Sequence, residues 1–218
     1  VQSRWSRINT PSPFLKTFSK IGSVSILKPL SSAIKIKYFS ILFGVSGVGL
    51  LSQGQLMVSL LHGFGSLGMG MAIIKYLSDK TVTMEDQIDI VRHISRVLVI
   101  SILVQTLLVL FFQKEISFYL FASEEYLSLV FILGMSIPIL VASRLLETIL
   151  NSKLEFSKIA RNQLWSIISS FFLFILLSIR YGTAGALIGI SSYYLFLTVF
   201  YGVSVGRHYP QFFHALFS

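Results

Sequence analysis

The chain has 218 residues, 54% of them apolar and 12% charged, with a formal net charge of +9 and no cysteine. That composition excludes a soluble domain of this size, and the lack of cysteine excludes disulfides, thiol catalysis and cysteine-ligated metal. The basic excess does not point to nucleic acid, because the charges sit at the ends of apolar stretches or inside them.

A hydrocarbon core about 30 Å thick needs roughly 20 apolar residues of helix, and only helices and closed barrels satisfy their backbone groups there. No stretch alternates with the period of two of a barrel strand, so the expected fold is all-α: a polytopic membrane helical bundle of six transmembrane helices. Residues 1–20 are basic, carry Pro11 and Pro13, and are expected to form a cytoplasmic segment that is not a cleavable signal. The first span covers 21–43 and contains Lys28, Pro29, Lys35 and Lys37. A glycine turn over 44–49 leads into the second span, 50–77. After a polar loop over 78–89, the third span ends near Phe112, and 113–125 is expected to be a loop. The fourth span, 126–150, contains Gly134 and Pro138, and a basic loop over 151–162 follows it. The fifth span is 163–179; Arg180, Tyr181 and Gly182 turn it into the sixth, 183–205. Residues 207–218 are expected to be a cytoplasmic end, cut short, so that 21–206 form the membrane lobe.

Lysines and arginines set orientation. One side collects Arg4, Arg7, Lys16, Lys20, Lys75, Lys80, Arg92, Arg96, Lys153, Lys158, Arg161 and Arg207, while the other has Lys114 and Arg180. Both termini are therefore expected in the cytoplasm. Phe43-Gly44-Val45-Ser46-Gly47 and Tyr181-Gly182-Thr183-Ala184-Gly185 share an aromatic-Gly-x-x-Gly pattern at two outward turns, where glycine permits positive φ and close helix approach. Four glycines, Gly63, Gly65, Gly68 and Gly70, with Ser66, mark the second span as the place to bend, together with Pro138 in the fourth.

Charges inside spans ask for a partner or a purpose. Lys28 and Lys35 lie about 20° apart around a helix, with Lys37 roughly opposite both, so a straight helix cannot aim all three into one cavity. A cationic lining for an anionic cargo competes with snorkelling for Lys28 and Lys37. Arg144 and Glu147 are three apart and can pair. Lys75 reads as an interfacial anchor first and a cargo contact second. Gln53 and Gln55 suit interhelical or sugar hydrogen bonds. The scattered His62, His93, His208 and His214 lack metal-ligand spacing, no phosphate-cradling loop occurs, and no carboxylate pair shares a cavity, so neither a metal, a cofactor nor an enzyme is expected.

The run Leu42-Phe43-Gly44-Val45-Ser46-Gly47-Val48-Gly49-Leu50-Leu51-Ser52-Gln53, continuing to Ser66-Leu67-Gly68-Met69-Gly70-Met71-Ala72-Ile73-Ile74-Lys75-Tyr76-Leu77, resembles the first two helices of the Wzx family. These are bacterial O-antigen and lipid-linked oligosaccharide flippases of the polysaccharide transporter group. Lys28 and Lys37, Ile149-Leu150-Asn151-Ser152-Lys153 and Tyr181-Gly182-Thr183-Ala184-Gly185-Ala186-Leu187 are similar to the same family, over about residues 20–206. The resemblance implies one six-helix lobe of a two-lobe transporter. Such a protein moves an undecaprenyl-pyrophosphate-linked oligosaccharide across the bacterial inner membrane by alternating access for surface polysaccharide synthesis. Its implied partners are this anionic lipid-linked oligosaccharide, membrane lipids, a second lobe or second copy of the chain, a polysaccharide polymerase and a chain-length regulator. Lys28, Lys37 and Lys75 become candidate cargo-binding residues by position; Lys35 and Arg144 join them on charge alone. A lipid II or multidrug exporter of the same superfamily, or a non-transporting membrane scaffold, is the competing reading, and embedded basic groups argue against a cationic drug.

Overall fold

The computed structural model describes residues 13–65, 68–79 and 81–216, with the side chains of 13–21 and 23 left out. Expectations placed on Arg4, Arg7, Ser66 and Lys80 lie outside the described residues. Those residues form eight α-helices and a short 3-10 turn: α1 (Pro13–Gly65), α2 (Gly70–Ser78), α3 (Met84–Phe111), α4 (Gln113–Phe121), α5 (Leu127–Met135), α6 (Ile137–Ser152), α7 (Phe156–His208) and α8 (Pro210–Ala215). The all-helical fold follows from apolar segments that must pair their own backbone groups.

Four segments are long and apolar enough to cross a membrane: Val24–Gly65, Met84–Phe111, Glu124–Ser152 and Phe156–His208. Six spans were expected, and the difference lies in α1 and α7. Each is 53 residues long, which as a straight rod would be about 80 Å against a core of about 30 Å. Neither is straight. Gly44 (φ 66°, ψ −165°) and Gly182 (φ 60°, ψ −135°) leave helical geometry, dividing α1 into arms α1a (13–43) and α1b (45–65), and α7 into α7a (156–181) and α7b (183–208).

Both helices fold back on themselves. A Cβ built on Gly185 would meet the Leu177 carbonyl oxygen at 2.0 Å, and one on Gly189 would meet Phe174 Cα at 2.6 Å. In a straight helix those pairs would stand about 12 and 22 Å apart along the axis. In α1, Phe39 and Leu51 share a buried cluster with Leu129, Phe174, Ala186 and Leu187. The Phe43 ring lies 3.7 Å from where a Gly182 Cβ would be, so the two turns touch. The repeated aromatic-Gly-x-x-Gly pattern thus marks two reversals packed together, and this glycine-turn end is one pole of the molecule.

Two further expectations are corrected, over 50–77 and 113–125. The fourth span remains one segment, Glu124–Ser152, with its break at the expected weak point beside Pro138. The second span is not continuous over 50–77: α1 ends at Gly65, Gly68 has φ +69°, and α2 starts at Gly70. Four glycines in eight residues explain the break, since each disfavours helix by about 1 kcal/mol relative to alanine. Within the fourth span the helix breaks at Ser136, because Pro138 offers no N–H and crowds the carbonyl of Gly134; Ser136 Oγ donates instead to the Leu133 carbonyl (2.6 Å). Residues expected as an outer loop include the helix α4, which stops at Ala122 with φ 54°.

The opposite pole is basic. Lys153 Nζ donates to the Leu77 carbonyl and to Gln87 Oε1, both at 2.9 Å, and lies 5.0 Å from the centre of the Phe212 ring. One ammonium therefore ties the end of α2, the start of α3 and α8 to the end of α6. Burial holds the Lys153 amine below its ordinary pKa. Beside it, Glu155 accepts from Lys158 Nζ (2.6 Å) and the Tyr209 hydroxyl (2.9 Å). Burial would raise the Glu155 pKa, but these two hydrogen bonds and the charges of Lys158 and His208 outweigh it and hold the carboxyl below the usual range. A depressed carboxyl contributes stability above its unfolded pKa that is lost as pH falls through the folded one. Thermal melts in detergent should therefore weaken below about pH 4.5, and Glu155→Gln should flatten that acid limb while lowering stability near neutrality.

Candidate functional site

Lys28, Ser31, Ser32 and Lys35 recur at i, i+3, i+4 and i+7, which places them on one face of α1a. Gln55 and Ser59 stand i, i+4 on α1b, with His62 one further turn along. The reversal at Gly44 turns these two polar stripes towards each other. The reversal at Gly182 adds Ile167 and Ser170 from α7a and Ile190, Tyr193 and Tyr194 from α7b. Together with Val58 they line a cavity of ≈ 290 Å³. The arms that meet here are far apart in the chain: Lys28 and Ser59 share the cavity across 31 residues of α1.

Lys35 is 9% exposed. Its Nζ donates to Ser170 Oγ (3.3 Å) and stands 5.5 Å from the Phe174 ring centre. Lys28, nearer the mouth, is exposed and rests its Nζ 5.4 Å over the Tyr193 ring. Tyr193 packs edge-on against Tyr194 (5.2 Å), and Tyr194 against the His62 ring (4.8 Å). Among the described residues, no carboxylate lines this cavity. The two ammonium groups are held by a hydroxyl and by aromatic faces, both of which stabilise a cation only weakly compared with an anion.

Arg144 on α6 pairs with Glu147 at 3.2 Å, as the spacing suggested, and Gln163 Nε2 reaches the other Glu147 oxygen at 3.4 Å. Neither Arg144 nor Glu147 is among the described residues that line the cavity. The Tyr201 hydroxyl is buried beside Gln163, outside hydrogen-bonding geometry.

Of the five sequence candidates, Lys28 and Lys35 meet in the cavity, and Arg144 is outside its lining, paired with Glu147. Lys37 is exposed on the other side of α1a, about 10 Å along the helix from Gly44. Lys75 is exposed on α2 with its Nζ 5.8 Å from the Tyr76 ring. Ser31, Ser32, Ser59, Ser170, Tyr193, Tyr194 and His62 were not among the candidates. The heptad of Lys28, Ser31, Ser32 and Lys35 was legible as a polar stripe; the tyrosine pair carried no signal of its own.

The arrangement is a cationic, hydroxyl-rich recess inside an apolar bundle, able to hold an anion by charge and a polyol by its serines, glutamine and tyrosines. No protein-family model matches the chain, no curated protein matches it, and no solved structure matches it.

Proposed function

We propose that this chain is a six-crossing lobe of a membrane transporter in which α1a, α1b, α3, the α5–α6 pair, α7a and α7b each traverse the bilayer. Its cargo is a polyprenyl-pyrophosphate-linked oligosaccharide, carried across the cytoplasmic membrane of a bacterium by alternating access, with both termini in the cytoplasm. What carries the reading is the cavity: Lys28 and Lys35 bring two positive charges and no acid of their own into the bilayer interior. Charge there is costly unless something opposite meets it. A pyrophosphate supplies the negative oxygens, and the serines, Gln55, Tyr193 and Tyr194 suit the hydroxyls of the sugars that follow it. The prenyl chain belongs in the surrounding lipid. The glycine-rich reversals and the likeness to Wzx flippases at the same turns support the same class.

Proteoliposomes holding the whole polypeptide that carries these residues test the reading. A fluorescent polyprenyl-pyrophosphate oligosaccharide should become accessible in the opposite leaflet, and a neutral polyprenyl glycoside should not. Equal movement of both, or of neither, would remove the flippase assignment. Movement of a lipid-linked muropeptide but no other glycan would favour a lipid II exporter, which shares the pyrophosphate.

A further inference from the structure

The Lys28–Lys35 cavity has a charged wall and a neutral one. Both ammonium groups come from α1a, whereas α1b supplies Gln55, Val58 and Ser59. The shared reversal at Gly44 fixes their depths. Lys35 precedes it by nine residues and Gln55 follows it by eleven, so at about 1.5 Å per residue they stand about 14 and 17 Å from the turn. Ser59 and Lys28, at about 23 and 24 Å, form a second level nearer the mouth.

Gln55 is half-buried, and its amide makes no hydrogen bond among the described residues. Other glutamines packed in the bundle are engaged. Gln87 donates to the Asp79 and Val82 carbonyls and accepts from Lys153, Gln105 donates to Ser101, and Gln163 donates to Glu147. Across the cavity Ser170 is already used, accepting from Lys35 and donating to the Ile167 carbonyl (3.1 Å). A free amide inside an apolar bundle is costly unless a ligand meets it. The place of this one is fixed, since a Cβ built on Gly54 would lie 2.1 Å from Leu187 Cδ2 and α1b therefore packs against α7b one residue away. Gln53, two residues back, is exposed and outside the lining.

We propose that Gln55 selects the sugar next to the pyrophosphate, its amide bridging two adjacent hydroxyls of that ring. This rests on the cargo reading above: with the phosphates held from α1a, the first ring lies against α1b at the level of Gln55 and Ser59. A primary amide carries an N–H and a C=O side by side, so it donates to one hydroxyl and accepts from its neighbour. A trans acetamido group points its own N–H and C=O in opposite directions and cannot meet both. The substrate class is therefore a polyprenyl-pyrophosphate glycan whose first sugar keeps a vicinal diol.

Binding of farnesyl pyrophosphate, farnesyl-pyrophosphoryl glucose and its 3-deoxyglucose counterpart to the whole polypeptide in detergent tests this. Deleting the 3-hydroxyl removes every vicinal pair of ring hydroxyls at once. The glucose compound should bind at least about tenfold more tightly than the deoxy compound, the scale of leaving a buried amide unpaired. Gln55→Met, unbranched and of similar size, should bring that ratio to within about twofold of unity, while Gln53→Leu keeps it. Because the ratio is taken within one preparation, a smaller folded fraction does not alter it. Equal binding of the two sugars by the natural chain, or a preference that survives Gln55→Met, would overturn the inference, and binding of farnesyl pyrophosphate would leave the anion site standing. If none of the three compounds binds, the pyrophosphate reading itself falls and this inference falls with it.

Discussion

Replacing Lys28 and Lys35 together by alanine should slow transport of a polyprenyl-pyrophosphate oligosaccharide at least 100-fold, while Lys37→Ala leaves it within about twofold. A hydrogen bond to a charged group contributes roughly 1.5–3 kcal/mol, and about 1.4 kcal/mol is tenfold, so two lost ammonium contacts amount to two to four decades. The fold should survive. Lys35 is buried against Ser170 and Phe174 with no carboxylate partner, so its removal leaves no orphaned charge and relieves a desolvation cost. Leaflet exchange of the fluorescent cargo, normalised to folded protein, measures the effect. Lys28→Arg with Lys35→Arg keeps both charges and should restore part of the rate. If the alanine pair transports normally, the cavity does not bind the cargo; if Lys37→Ala is equally damaging, the exposed face of α1a is the site instead.

Gly189→Ala should be one of the two most damaging methyl additions among the described glycines, destabilising by about 3 kcal/mol or more. Over-packing ordinarily costs about 1–3 kcal/mol because side chains rotate away. Here the added carbon would lie 2.6 Å from Phe174 Cα and 3.1 Å from its Cβ, and backbone cannot rotate away. Gly185→Ala, at 2.0 Å from the Leu177 carbonyl oxygen, should behave alike. Gly44→Ala tests a separate cause: nothing lies within 4 Å of its Cβ position, yet φ 66° with ψ −165° is a region that essentially only glycine occupies, and about 1–3 kcal/mol should be lost. Gly49→Ala meets neither obstacle and should be neutral or stabilising by up to about 1 kcal/mol. Unfolding in mixed micelles of increasing denaturing detergent ranks the four. Should Gly189→Ala unfold no earlier than Gly49→Ala, α7a and α7b are not packed as antiparallel arms.

Much of the architecture was legible because its causes are local. Apolar runs of helical length announced a membrane bundle, and two copies of an aromatic-Gly-x-x-Gly pattern placed both reversals at the glycines that make them. The breaks near Gly68 and before Pro138 were legible as weak points, since a residue's own backbone freedom or missing N–H determines them. Continuity was harder to judge. A turn made by one glycine inserts no polar loop, so apolarity and helix run on through Gly44 and Gly182, and four long segments stand where six were expected. The helix α4 was hidden because its residues, Gln113 to Phe121, mix charge with aromatic groups, as an interfacial helix and a loop both do.

At the site, helical phase alone separated Lys37 from Lys28 and Lys35, and the structure keeps that separation. The membrane medium, the cationic stripe on α1a and the two reversal points are properties of neighbouring residues, and composition and period suffice to read them. Which stripes face one another is a different kind of fact. Tyr193, Ser170 and Gln55 join Lys28 because two hairpins pack through Phe43 and Gly182, and Lys75 stays outside because α2 swings off after Gly68. Those outcomes depend on close approach between residues far apart in the chain, through van der Waals fit that no single stretch encodes.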